Sequence, residues 1–337
     1  MPPSPGTNSG GLEVDWVGYW LDYARFEVGL SESRTGWLVD TITAFNRDRV
    51  VLMRRFVEFL GRLGFAAQAL VWLKQFLAPL YEWSTVTPDG AVVKPPQLVK
   101  LVLVFVMESL TSGLFRIPCR SPEAFGGELF RTDSKGADDR VVLAGWETKG
   151  SLDTSSARWF CLELSQADAP WLFKEGKGSS WSSTSSELLA SLIGLQLFGA
   201  GVSGQRSSGE VIVSAGTDNK ANEALTLKRS STKLPLMFIL MQLAWGLGKQ
   251  SLRLQLHWRP REENVEADAL TNLDFSKFHP DNRIQVSWDL VGKSLQLKLL
   301  ATQSEFESAL ALGRNSKGVA SLVKASKRSK LARKTAW

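Results

Sequence analysis

Four acidic residues, Asp133, Glu187, Asp218 and Asp268, each stand at the edge of an apolar run, and any fold built from those runs must accommodate their charge. Asp133 follows Glu128-Leu-Phe-Arg-Thr, Glu187 opens a predicted helix, Asp218 ends a predicted strand, and Asp268 lies within a predicted late helix. An ionised carboxylate beside buried apolar surface is destabilising unless a cation offsets it. Four of them at the ends of core elements therefore point to divalent metal. Singly, each has an ordinary reading. Glu187 would favour a helix N-terminus through the macrodipole, and Asp218-Asn219 reads equally well as a strand-to-helix cap.

The chain has 337 residues, room for about two domains. Its net charge of +6 is uneven: the stretch from Ser308 to Trp337 carries eight Lys or Arg and no acid, which leaves the rest near −2. Two cysteines, Cys119 and Cys161, make no disulfide framework and fit a reducing compartment. With His257 and His279 they lack the short paired spacings of a zinc site. The leader, Met-Pro-Pro-Ser-Pro-Gly-Thr-Asn-Ser-Gly-Gly, holds no apolar signal segment. The apolar stretches Leu101–Met107 and Leu234–Gly248 are short for a membrane span. These features predict a soluble intracellular protein with no membrane partner. The basic tail suits non-specific phosphate binding or nuclear import, which favours the nucleus.

Residues 1–14 are expected to be disordered and residues 15–117 to form a mainly helical module. In the latter, Trp16–Leu30 reads as a hairpin or edge strands. Helices are predicted from Ser31 to about Asn46, then over Arg49–Leu63, Phe65–Tyr81 and Pro96–Leu114, with Thr85–Pro96 as a connection. Residues 118–280 change texture. Glu128–Asp133, Arg140–Trp146 and Arg158–Leu164 read as a three-stranded meander, followed by a Gly/Ser loop over Lys174–Ser186 and a helix over Glu187–Phe198. Strand Val211–Ala215, helices Asn219–Lys228 and Pro235–Lys249, strand Leu252–Trp258 and helix Glu262–Leu273 complete it. The predicted fold class is α/β, a five-stranded mixed sheet flanked by helices. An extension over 281–312 and a disordered basic tail over 313–337 follow.

Helix Glu187–Phe198 is apolar nearly all round and should be buried. Ala190, Ser191 and Gly194 share the face of Glu187, so that helix can lie close to the sheet. In the last helix Val265, Ala269 and Leu273 are expected to pack inward with Asp268 bordering their face and Glu266 directed elsewhere.

Thr217-Asp218-Asn219-Lys-Ala-Asn222, with Trp258-Arg-Pro-Arg-Glu-Glu-Asn264-Val-Glu-Ala267-Asp268-Ala269-Leu270, resembles the RNase H domain of retroelement reverse transcriptases. The second block is similar to the Asn-x-x-Ala-Asp-x-Leu signature of Gypsy-like and tyrosine-recombinase elements. The resemblance covers roughly residues 120–280 and implies an RNase H-like sheet. It also implies catalytic, metal-binding roles for Asp133, Glu187, Asp218 and Asp268, with Asp138 and Glu147 as rivals for the first. The implied cofactor is two Mg²⁺ ions, with Mn²⁺ an alternative, about 4 Å apart. Asp133 would bridge them, Glu187 and Asp218 completing one site and Asp268 the other. The implied substrate is the RNA strand of an RNA–DNA hybrid, met through 2′-hydroxyls and phosphates by Ser134, Lys135, Asn219, Lys220 and Asn222. Arg259 would neutralise nucleic acid, and Trp258 is more often core than a stacking surface.

Upstream, Val17-Gly18-Tyr19-Trp20-Leu21-Asp22, Gly61-Arg62-Leu63-Gly64-Phe65 and Phe76-Leu-Ala-Pro-Leu80 are similar to the palm end and thumb or connection of a reverse transcriptase. Arg54, Arg55 and Arg62 would then track a duplex backbone. Two departures stand out. The polymerase tetrad Tyr/Phe-x-Asp-Asp is missing, so no polymerase activity is expected from this chain, and a longer precursor would have to supply the palm. The segment Arg259–Ala267 has no His of the kind cellular RNase H enzymes place before the last acid, which predicts slower turnover. The alternative is a catalytically inactive, nucleic-acid-binding remnant. An integrase-like nuclease is a third reading, opposed by the Ala267-Asp268-Ala269-Leu270 block and the lack of a zinc module.

Overall fold

The computed structural model describes residues 11–118, 123–149, 151–199, 211–250, 252–288 and 295–315. The expectations for residues 1–10, Cys119 and the tail beyond residue 315 lie outside them. The chain divides into two compact units. Residues up to Ala24, Val28–Ile117 and the stretch from Ala301 form one; Pro118–Leu300 with Arg25–Glu27 form the other. The predicted extension over 281–312 is thus split at Leu300.

In the first unit β1 (Glu13–Trp16) and β2 (Tyr19–Asp22) pair antiparallel across Val17-Gly18, both at positive φ. That geometry matches the twist of a two-residue hairpin. After β3 (Glu27–Leu30) come α1 (Glu32–Arg47), β4 (Val51–Leu52), α2 (Met53–Ala69), α3 (Lys74–Val86), β5 (Val92–Val93), α4 (Gln97–Ser109) and β6 (Arg116–Pro118). The predicted helix over Phe65–Tyr81 does not form as one piece. Phe56, Phe59, Leu60, Leu63, Ala66 and Ala67 make one buried stripe, which carries α2 through Gly64 to Ala69. The chain breaks at Leu70 and turns through Val71–Leu73 before α3 begins. The expected start at Arg49 is also four residues too early: α2 begins at Met53, because Val51–Leu52 pair with Val92–Val93 inside the predicted connection. Phe45, Phe56, Phe59 and Trp83 form the aromatic centre, with Phe56 and Trp83 edge to face at 4.9 Å. Among the described residues one helical stretch, Gln97–Leu114, is long and apolar enough to cross a membrane, yet Leu98, Val99, Val102, Leu103 and Val106 are buried in this unit.

The second unit is an α/β layer structure. Its strands are β7 (Glu123–Gly136), β8 (Arg140–Glu147), β9 (Trp159–Ser165), β10 (Val211–Thr217) and β11 (Leu252–Trp258), in sheet order β11-β10-β7-β8-β9. The β7–β8–β9 meander is antiparallel, whereas β10 runs parallel to both β7 and β11. Its helices are α5 (Ser183–Phe198), α6 (Lys220–Lys228), α7 (Leu236–Gln250), α8 (Val265–Thr271) and α9 (Leu295–Leu300). Every residue from Val141 to Glu147 is buried because both sheet faces are covered. Val141 and Leu143 join the cluster under α5 and α7, while Val142, Ala144 and Trp146 pack with Ala267, Leu270 and Phe278 on the other face.

Strand β7 is longer than the predicted Glu128–Asp133, and its register against β10 slips on both sides of Glu128. Gly127 takes φ 92° there, the left-handed backbone that a bulge of this kind uses and that glycine adopts without strain. Beyond the bulge Gly216 pairs with Arg131, so Asp218 and Asp133, two residues further along parallel neighbours, come level.

Helix α5 is buried from Ser185 to Leu195, as its composition predicts. A Cβ on Gly194 would lie 2.9 Å from the Phe130 ring and 3.2 Å from Thr132, and the Ser191 hydroxyl meets that of Thr132 at 3.0 Å. The small face therefore seats α5 directly on β7. The helix begins at Ser183, four residues before the predicted start, so Glu187 lies in its second turn and not at the positive end of the helix. The face expected of α8 is also different. Ala267, Leu270 and Thr271 are buried, whereas Val265 and Leu273 are exposed.

Candidate metal centre

Three of the four expected acids meet. Asp133 on β7, Glu187 on α5 and Asp218 just past β10 each present a carboxylate oxygen, and these atoms lie within 4.8 Å of one another. Asp133 is 6% exposed and Glu187 9%. Such proximity disfavours simultaneous ionisation. Burial, then the charge of Asp218, push Asp133 up to about 6. Burial, then the charges of Asp218 and Asp133, push Glu187 up to about 8.

Donors from neighbouring elements hold these groups in place. The Ser134 N–H donates to Asp133 Oδ1 at 2.7 Å and the Thr271 hydroxyl to Oδ2 at 3.1 Å. The Thr217 hydroxyl donates to Glu187 Oε2 at 3.1 Å, and Asn219 Nδ2 to Oε1 at 3.3 Å. Asp218 is anchored through its backbone carbonyl, which accepts from Trp258 Nε1 at 3.1 Å. Its Oδ1 is buried and meets no hydrogen-bond donor among the described residues. A buried carboxylate oxygen without a donor, beside two more carboxylates, is a hard-oxygen set suited to a divalent ion such as Mg²⁺ or Mn²⁺.

Asp268 lies outside that group of three. It stands on α8, and its charge still adds to the load on Asp133. Its Oδ1 accepts from Arg261 Nη2 at 2.7 Å and its Oδ2 from Asn272 Nδ2 at 2.9 Å. Of the rivals for the first acid, Glu147 is buried and bound by Arg158 through two contacts of 2.7 Å, and Asp138 is in the exposed turn after β7.

The expected nucleic-acid contacts divide. Lys220 is exposed, its ammonium 4.0 Å over the half-buried Trp258 ring. The Ser134 hydroxyl meets that of Ser186 at 2.7 Å. Lys135 donates to Asn272, and Asn219 caps α6 through Ala221 N–H at 2.9 Å besides serving Glu187. Asn222 is 0% exposed, because it faces inward where α6 packs on β10 and β11, so it is not available to a surface ligand. Arg259 binds Glu128 Oε2 at 2.9 Å, and Arg131 bridges Glu128 to the Glu263 carbonyl. That buried network fixes the loop before α8. Sequence reasoning missed it, along with the roles of Thr217, Thr271 and Arg261. Only Thr217 carried a local signal, as the neighbour of Asp218.

No protein-family model matches this chain, and no curated protein matches it in sequence.

Proposed function

We propose that the second unit is an RNase H-like, divalent-metal-dependent endonuclease that cleaves the RNA strand of RNA–DNA hybrids, and that the chain is a fragment of a retroelement reverse transcriptase. The observation that carries this reading is the convergence of Asp133, Glu187 and Asp218 from the first strand, first helix and fourth strand of one mixed sheet. The Thr-Asp-Asn and Asn-x-x-Ala-Asp-x-Leu blocks support it.

Asp133, Glu187 and Asp218 would hold the ion, which when bound supplies charge neutralisation and activation of water for phosphodiester hydrolysis. The chain's own part is positional. Thr217 and Asn219 orient Glu187, Thr271 and the Ser134 N–H orient Asp133, and Trp258 fixes the backbone of Asp218. Lys220 and Lys135 carry positive charge on elements flanking the acids, where a phosphate backbone would run. A second reading, a nucleic-acid-binding remnant without catalysis, is favoured by the engagement of Asp268 with Arg261.

An end-labelled RNA–DNA hybrid separates the two. The expected result is internal cleavage of the RNA strand with Mg²⁺, none in chelator, and no cutting of the same RNA single-stranded. Hybrid binding without cleavage in either Mg²⁺ or Mn²⁺ would establish the remnant instead.

A further inference from the structure

We propose that the Arg261 guanidinium is the resident second cation of this centre: it neutralises Asp268 and leaves one divalent-ion position, formed by Asp133, Glu187 and Asp218. The inference rests on the metal-dependent reading above and departs from the pair of ions that the sequence resemblance implies.

Four carboxylates contribute to the local field, and the acids fall into two groups. In the first, Asp218 Oδ1 is buried with no donor among the described residues, and Asp133 and Glu187 crowd it. In the second, Asp268 already has a protein donor on each oxygen, Arg261 at 2.7 Å and Asn272 at 2.9 Å. Asn272 in turn accepts from the Lys135 ammonium, so a second positive charge, that of a lysine, backs the same carboxylate. A divalent ion bridging Asp133 and Asp268 would have to displace the guanidinium from a charge-assisted contact.

Arg261 is placed for this role by its loop. It opens the short turn Arg261–Glu263, between Pro260 and the N-cap Asn264 of α8. The Glu263 carbonyl accepts from buried Arg131, Arg259 is held by Glu128, and Asn264 Nδ2 donates to the Thr132 carbonyl at 3.2 Å. The backbone on both sides is therefore tied to β7, the strand of Asp133. The Arg261 side chain is 74% exposed, yet it lies on Asp268. Its positive charge is stabilised first by that contact and further by Asp133 and Asp218. A guanidinium stays protonated at any working pH, so this counter-charge is permanent, unlike that of a histidine.

The test counts bound Mn²⁺ on the full chain at pH 8 by calorimetry and by electron paramagnetic resonance of the free ion. The expected stoichiometry is one ion per chain for the wild type, two for Arg261→Ala, and one again for the double variant Arg261→Ala/Asp268→Ala. Because the Arg261 side chain is largely exposed, each variant is expected to fold, and circular dichroism checks that it does. Two ions on the wild type, or one on Arg261→Ala, would overturn the proposal while leaving the metal centre standing. No saturable Mn²⁺ on any form would remove the metal centre itself, and the proposal with it.

Discussion

Asp218→Asn is expected to slow Mg²⁺-dependent cleavage of an RNA–DNA hybrid at least about a thousandfold, equivalent to roughly 4 kcal/mol of lost transition-state stabilisation, while making the metal-free protein more stable. The two effects have one cause. Asp218 offers a buried oxygen that meets no donor among the described residues, the atom best placed to ligate an ion. Without an ion its charge is, after burial itself, the largest destabilising influence on both Asp133 and Glu187. Asparagine keeps the shape, removes the charge and leaves the backbone contact to Trp258 intact. A gain of about 1–2 kcal/mol in metal-free stability is expected from relieving such like-charge contact. Cleavage rates and thermal unfolding in chelator, measured on the same preparations, check both halves. Loss of activity together with loss of stability would mark Asp218 as a structural residue.

The second large effect is on stability against pH in chelator. Asp133 at about 6 and Glu187 at about 8 both lie above the usual carboxylate range. The native state therefore retains protons that the unfolded chain releases near pH 4 to 4.5. Because the unfolded state binds fewer protons in this interval, stability falls as pH rises from about 4.5 to about 8 and levels off above. The drop is expected to be several kcal/mol, the larger part from Glu187, lowering Tm by on the order of 10 °C or more for a domain of this size. Glu187→Gln should flatten most of the slope above pH 6. Added Mn²⁺ should raise Tm more at pH 8 than at pH 5, since the ion and the protons compete for the same oxygens. A Tm that is level or rising from pH 5 to 8 in chelator would contradict the burial and mutual repulsion of these acids.

Much of the second unit was legible because its chemistry is local. Leu252–Trp258 alternates along its length, and its predicted bounds are those of β11. The meander announced itself by three β-type runs with polar turns between them, and α5 by an apolar surface on all sides. The small residues Ser191 and Gly194 also told correctly which side of α5 meets the sheet. Other features depend on partners remote in sequence. Ser183–Ser186 has the composition of a loop, yet Ser185 and Ser186 are buried and the latter meets Ser134 across 52 positions. Val265 and Leu273 looked like core by spacing, but α8 is short and turns Ala267 and Leu270 inward. Arg259 looked free to meet phosphate until the fold brought Glu128 to it across 131 positions. Of the four acids that the sequence groups, Asp133, Glu187 and Asp218 meet and Asp268 lies outside their cluster. Asp268 instead pairs with Arg261, a contact invisible in the sequence because it depends on how the loop before α8 is tied to β7.

The most direct test is a Mn²⁺-soaked crystal of the full chain at pH 8, read by anomalous scattering. The account predicts a peak about 2 Å from carboxylate oxygens of Asp133, Glu187 and Asp218 together. Density for those three side chains with no anomalous peak among them, at saturating Mn²⁺, would contradict it.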